Sequence, residues 1–290
     1  MQLESIRRAA QVVICAVWLS GGAAAFQAAQ SFAAESPSEV DWEGRVLGAL
    51  ARVGEPGSRA ARETARGLAG FGEVALPALL SGLAQRRVTS AEGASLSLDE
   101  GRLAILRDAV EQLGRSALVS AAEAALAEHA EYPMPERLPP YLEGIALCGR
   151  SADIGVALDL ARASETDELA GLAAQRGLER AVRAVAARDA SALRELRRWL
   201  ERASPTMDLA LVRGTAACGR PEALRALMDV FGEDEDLTLT LLGEMPRAAH
   251  GLARPLDDSL LRKVRDVLAD AAAPPARVRA ALRAAAALGD

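Results

Sequence analysis

Apolar positions recur at helical spacing along most of the chain. In "DEGRLAILRDAVEQLG", residues 99–114, Leu103, Leu106, Val110 and Leu113 form one stripe of an amphipathic helix. Ser97 and Glu100 precede that stripe with the spacing of a capping box. In "TMDLALVRGTAACG", residues 206–219, Ser204 and Pro205 stand where an N-cap and a first helical residue belong. Each stripe stops at an apolar residue followed by Gly, and a second apolar run starts almost at once. Gly in that place predicts a left-handed turn ending the first helix. The pattern therefore predicts pairs of antiparallel helices.

The pairs repeat. "GIALCGRSADIGVALDL" (residues 144–160) returns as "GTAACGRPEALRALMDV" (residues 214–230) with the shared pattern G-x-A-x-C-G-R. Gly114 and Gly149 lie 35 residues apart, and Gly149 and Gly219 lie 70 apart, which is two units. In the slot between them "AARDASALREL" carries Arg188 where the others carry Gly. Gly72 marks the same junction upstream, and Gly251 and Gly289 mark it downstream. A helix pair of this kind cannot bury its stripe alone, and stacking neighbours buries a continuous core.

Composition sharpens this to an all-α protein. Half of the 290 residues are apolar, but aromatics are only 3%. Ala, Leu, Arg and Glu favour helices. Residues that favour strands are thin. Lysine occurs once, at Lys263.

The segment "GEVALPALLSGL", Gly72 to Leu83 with Pro77 inside it, resembles the second helix of a HEAT repeat. "VALDLA" and "ALRALM" resemble the same helix in later units. The resemblance covers about residues 40–290 and implies a right-handed α-solenoid of about six to seven helix pairs. A tetratricopeptide array has a similar period, but would want recurrent Trp, Tyr and Phe. The final stretch, "PPARVRAALRAAAALGD", reads as a first helix without its second. It is either the cap of the array or the edge of a longer protein.

Residues 1–25 differ from the rest. Arg7 and Arg8 precede the apolar run "QVVICAVWL", and small residues follow, which is the pattern of a secretory signal peptide. Ala23 and Ala25 suit a cleavage site after Ala25, and Ser31 and Ala33 offer a second. An uncleaved membrane anchor is the alternative, although Gln27, Gln30 and two glycines dilute the run. Ile14 before Cys15 speaks against lipidation there. Residues 26–39 read as a linker. The formal net charge is -6 with signs interspersed, which argues against a general nucleic-acid binder. Loss of Glu4, Arg7 and Arg8 with the leader removes a net +1 and makes the mature chain -7.

Candidate chemistry is sparse. The two histidines, His129 and His250, lie in different units and form no metal-ligand motif. His129 follows "AALAE" at a helix end, where an imidazolium would complement the dipole. Cys148 and Cys218 occupy equivalent places two units apart, too far to pair, and read as small core residues. "GEDED" (232–236) lacks the ligand spacing of a calcium loop. Neither a metal, a cofactor nor a catalytic residue is expected.

One stretch stands out. Arg176, Arg180, Arg183, Arg188, Arg194, Arg197, Arg198 and Arg202 face only four acids between residues 175 and 202. Arg194, Arg198 and Arg202 would share a face of a second helix with Trp199. Exposed Arg beside Trp is the composition of a binding hot spot. Second helices line the concave side of HEAT-like arrays, so these four residues are the expected binding site. The sequence thus suggests an exported, monomeric, non-catalytic scaffold for a protein or peptide in the bacterial cell envelope. Rivals are an interaction segment of a larger envelope protein and a ligand-holding enzyme similar to bilin lyases.

Overall fold

The computed structural model describes residues 40–53, 57–230, 235–249 and 258–288. The proposed leader and linker, His250, Gly251, Gly289 and most of "GEDED" lie outside the described residues. The chain separates into two units, Met1–Trp42 and Glu43–Asp290, and all that follows except Trp42 belongs to the second.

The protein is predominantly α-helical. The helices are α1 (Trp42–Ala51), α2 (Arg59–Ala69), α3 (Leu76–Gln85), α4 (Glu100–Glu131), α5 (Pro139–Cys148), α6 (Ile154–Ser164) and α7 (Glu168–Arg188). There follow α8 (Leu196–Leu200), α9 (Pro205–Ala216), α10 (Glu222–Asp229), α11 (Glu235–Ala249), α12 (Asp258–Ala269) and α13 (Pro275–Leu288). Between α3 and α4 a short hairpin interrupts the pattern. Its strands are β1 (Arg87–Thr89) and β2 (Ser95–Ser97), antiparallel, with Val88 opposite Leu96. The sequence reading missed it. Its cues are a β-branched pair, Val88-Thr89, and a glycine at positive φ, Gly93, in the loop.

The apolar stripes become the core. Leu103, Leu106 and Val110 of α4 are fully or almost fully buried, and each side chain contributes about 2 kcal/mol by leaving water. In α7 the buried set runs Ala170, Ala174, Gly177, Leu178, Ala181, Val182 and Val185, again at helical spacing. Asp167 caps α7 by accepting the Ala170 N–H at 2.8 Å. The cap of α4 is Asp99, which accepts the Arg102 N–H at 2.8 Å. This corrects the expected Ser97–Glu100 box, because Ser97 belongs to β2.

Helices α2, α4, α5, α7, α9, α11 and α13 form a succession in which each packs on the next. Small residues sit where these helices cross. A Cβ on Gly177 would lie 2.8 Å from Leu142 of α5, and one on Gly214 would lie 2.7 Å from the Glu179 carbonyl oxygen of α7. At Gly144 a Cβ would run into Leu118 and Leu80. At Gly214 the two helices therefore approach to backbone contact, while at Gly144 and Gly177 leucine side chains of the neighbouring helices fill the space.

The junctions are less uniform than the repeated phrase suggests. Gly72, Gly114 and Gly219 have φ of 76°, 83° and 76°. Gly114 breaks α4 into two segments, with ψ 171°. Gly149 does not take the expected left-handed turn. Its φ and ψ are −67° and 158°, ordinary extended values. Glycine is needed there for space, since a Cβ would lie 2.5 Å from the Ile145 carbonyl oxygen. At the Arg188 junction the chain leaves α7 through Asp189, at φ −132°, and needs no glycine.

Basic side chains tie consecutive junctions together. Arg188 donates to the carbonyl oxygens of Ala146 at 2.7 Å and Gly149 at 2.9 Å. Arg220 donates to those of Ala187 at 2.9 Å and Arg188 at 3.2 Å. Lys263 donates to Met228 at 2.9 Å. Arg188 and Arg220 thus meet carbonyl oxygens around the ends of α5 and α7, where intrahelical donors run out.

Candidate interaction groove

The expected hot spot does not assemble. Trp199 is 4% exposed and belongs to the core. Leu193 and Leu196 are buried near it in sequence, which places the ring on the inward side of this short segment. Arg194 lies in a 3-10 turn (Ala190–Glu195), Arg198 in α8, and Arg202 beyond the helix. They share no helical face. Arg198 stands 3.7 Å from Glu195, and Arg202 reaches Asp159 at 3.1 Å. The cause is the 3-10 turn, whose 3.0 residues per turn break the i, i+4 register.

Other members of the same arginine stretch do come together, on α7. On α7, Leu169, Leu172, Arg176, Arg180, Arg183 and Ala187 are all exposed. At about 100° per residue they fall within roughly 80° of one another. They form one outward stripe opposite the buried one. Its N-terminal end is apolar, with Leu169 77% and Leu172 47% exposed. Its C-terminal half is cationic.

That cationic half borders a groove of about 340 Å³. Helix α3 gives it Leu83, and α4 gives Arg107. Glu143, Ala146 and Leu147 come from α5, and Arg180, Arg183, Ala184 and Ala187 from α7. The floor is apolar and the rim holds three guanidiniums against one carboxylate. Arg180 is paired with Glu143. Arg107 stands 3.6 Å from Glu100, and Arg86 on the other side of Glu100 holds that carboxyl below its usual value. Arg183 forms no ion pair among the described residues, and neither does Arg176 along the stripe. Arg188 is not part of the groove lining and fastens the end of α5 through the carbonyl oxygens of Ala146 and Gly149.

A second cavity of about 290 Å³ lies beside the hairpin, lined by Glu43, Ser81, Gln85, Arg87, Thr89 and Ser90 among others. Its one acid and one base balance, so it has no charge preference.

Reactive groups stay apart. The thiols of Cys148 and Cys218 are free, and burial pushes both upward from their ordinary value. At Cys148 nearby Glu111 adds to this and Arg188 opposes it. His129 Nδ1 accepts the Met134 N–H at 3.0 Å, a contact that holds the turn after α4. Among the described residues no three His, Cys, Asp or Glu side chains are placed to share a metal ion. No single described helix is long and apolar enough to cross a membrane.

In the sequence Arg176, Arg180 and Arg183 stand out only as part of a charge excess. Their i, i+4, i+7 spacing was the signal for a shared face. No protein-family model, curated protein or solved structure matches the chain.

Proposed function

We propose that residues 40–290 build a right-handed α-solenoid of HEAT-like helix pairs, and that the chain is a non-catalytic scaffold for a protein or peptide partner. The succession of first helices, each packed on the next, supports the architecture. The groove between α3, α4, α5 and α7 supports the function. It is an open, amphipathic surface whose rim carries more positive charge than its own acids neutralise. Such a surface suits recognition: an apolar floor supplies burial and fixed guanidiniums supply orientation. The working face is that of the first helices, not the Arg194, Arg198 and Arg202 face.

The N-terminal sequence pattern supports a home for this scaffold in the bacterial cell envelope. A chain tagged at its C-terminus, purified gently from the native envelope fraction, tests both parts. The reading expects an intact mass matching cleavage after Ala25 and a stoichiometric partner. A full-length chain, recovered alone, would overturn it.

A further inference from the structure

We propose that the occupant of this surface is an acidic amphipathic peptide segment of the partner, lying along α7. This rests on the scaffold reading and specifies the chemistry of its partner. Three observations support it.

The first is charge. On a chain of net charge -6, the groove and the adjoining stripe gather Arg107, Arg176, Arg180 and Arg183; Glu100 pairs with Arg107 and Glu143 with Arg180, which leaves Arg176 and Arg183 as the excess positive charge. Arg183 and Arg176 have no ion-pair partner among the described residues. Their donors remain available for carboxylates, which guanidinium binds through two parallel hydrogen bonds. The second is the distribution of apolar surface. Leu169 and Leu172 end the same stripe on which the arginines stand. The stripe thus reads apolar at the N-terminal end of α7 and cationic at the other. A complementary segment carries apolar side chains at one end and Asp or Glu at the other.

The third is length. From Leu169 to Ala187 the stripe runs about 27 Å, the length of a helix of about 18 residues. Aromatic side chains are absent from the groove lining, so bases would find no stacking platform. A peptide is therefore favoured over a single-stranded nucleic acid.

The test uses the full chain and fluorescein-labelled helical peptides of about 18 residues. One probe carries Leu at one end and Glu at i, i+4 and i+7 at the other. Its counterparts carry Gln or Lys in place of Glu, and a single-stranded DNA of similar length is included. Fluorescence anisotropy should show the Glu peptide binding at least tenfold more tightly than the Gln peptide, with the Lys peptide weaker still. The affinity should fall as salt rises. R176E/R183E should abolish this preference, and R194E/R198E should leave it intact. Both arginines of the first pair are exposed and unpaired, so folding should survive, and circular dichroism melting checks that. R183Q serves as a milder second variant, with an intermediate loss.

Equal binding of Glu and Gln peptides, no saturable binding of the Glu peptide, DNA binding as tight, or indifference to R176E/R183E would each overturn the inference. A native partner that still binds when these peptides fail would leave the scaffold reading standing. Absence of any native partner would remove that reading separately.

Discussion

Arg115 and Asp153 meet across 38 residues of chain in a two-point ion pair, with Nε to Oδ2 at 2.7 Å and Nη2 to Oδ1 at 2.5 Å. Asp153 is almost fully buried, and the Arg150 N–H donates to it at 2.7 Å. Removing Arg115 leaves a buried carboxylate with one backbone donor. Because Arg115 is itself partly exposed, R115M should cost about 2 kcal/mol, below the range for a fully buried pair. The R115M/D153L double variant should cost less than the two single changes added together. Urea denaturation of the four proteins measures the coupling, and strict additivity would count against it.

Gly149 and Gly114 should fail for different reasons. At Gly149 the backbone is ordinary but the space is not, since a Cβ would press on the Ile145 carbonyl oxygen at 2.5 Å. G149A should destabilise by about 2 kcal/mol, and G149V by more. At Gly114 there is open space, and the φ of 83° is what a side chain cannot adopt without strain. G114A should therefore cost about as much as G114S, because the penalty comes from the dihedral and not from bulk. Thermal melting of the set distinguishes the two cases.

Gly149 and Gly219 stand in the same repeated phrase, yet only Gly219 has the positive φ that the expected turn needs. Periodicity exposes which positions face inward, so the stripes of α4 and α7 were legible. It also marked the junctions, because helix ends need small residues whatever the exact dihedrals. The candidate site was harder to read. Trp199 stands beside arginines in sequence, but the 3-10 turn from Ala190 to Glu195 rotates it into the core. A change from 3.6 to 3.0 residues per turn leaves no mark in composition. The long-range ties, Arg188 to Gly149 and Arg220 to Ala187, depend on which helix ends become neighbours, and no local pattern encodes that.

Those ties should be measurable. R188M removes two donors from carbonyl oxygens of the preceding junction and should lower stability by about 1 kcal/mol, a value reduced by the exposure of the side chain. R188K, with one compact ammonium, should recover only part of this. The midpoint of urea unfolding reports the difference.

The two thiols should be slow nucleophiles. Burial favours the neutral thiol over the thiolate, so both should titrate above a free cysteine. The folded value exceeds the unfolded one, so this contribution to stability is whole below the unfolded thiol's pKa. It is lost as pH rises through the folded one. Alkylation by iodoacetamide, followed residue by residue by mass spectrometry, should show Cys148 reacting faster than Cys218. Both should lag the urea-unfolded chain by at least tenfold. Rapid modification of Cys218 in the folded protein would contradict its burial.

The most direct test of the central claim is to isolate the native complex with three forms of the tagged chain: unchanged, R176E/R183E and R194E/R198E. The account predicts one stoichiometric partner, retained by the unchanged chain and by R194E/R198E and lost from R176E/R183E. A partner lost instead from R194E/R198E, or kept by all three, would contradict the placement of the binding face on the first helices.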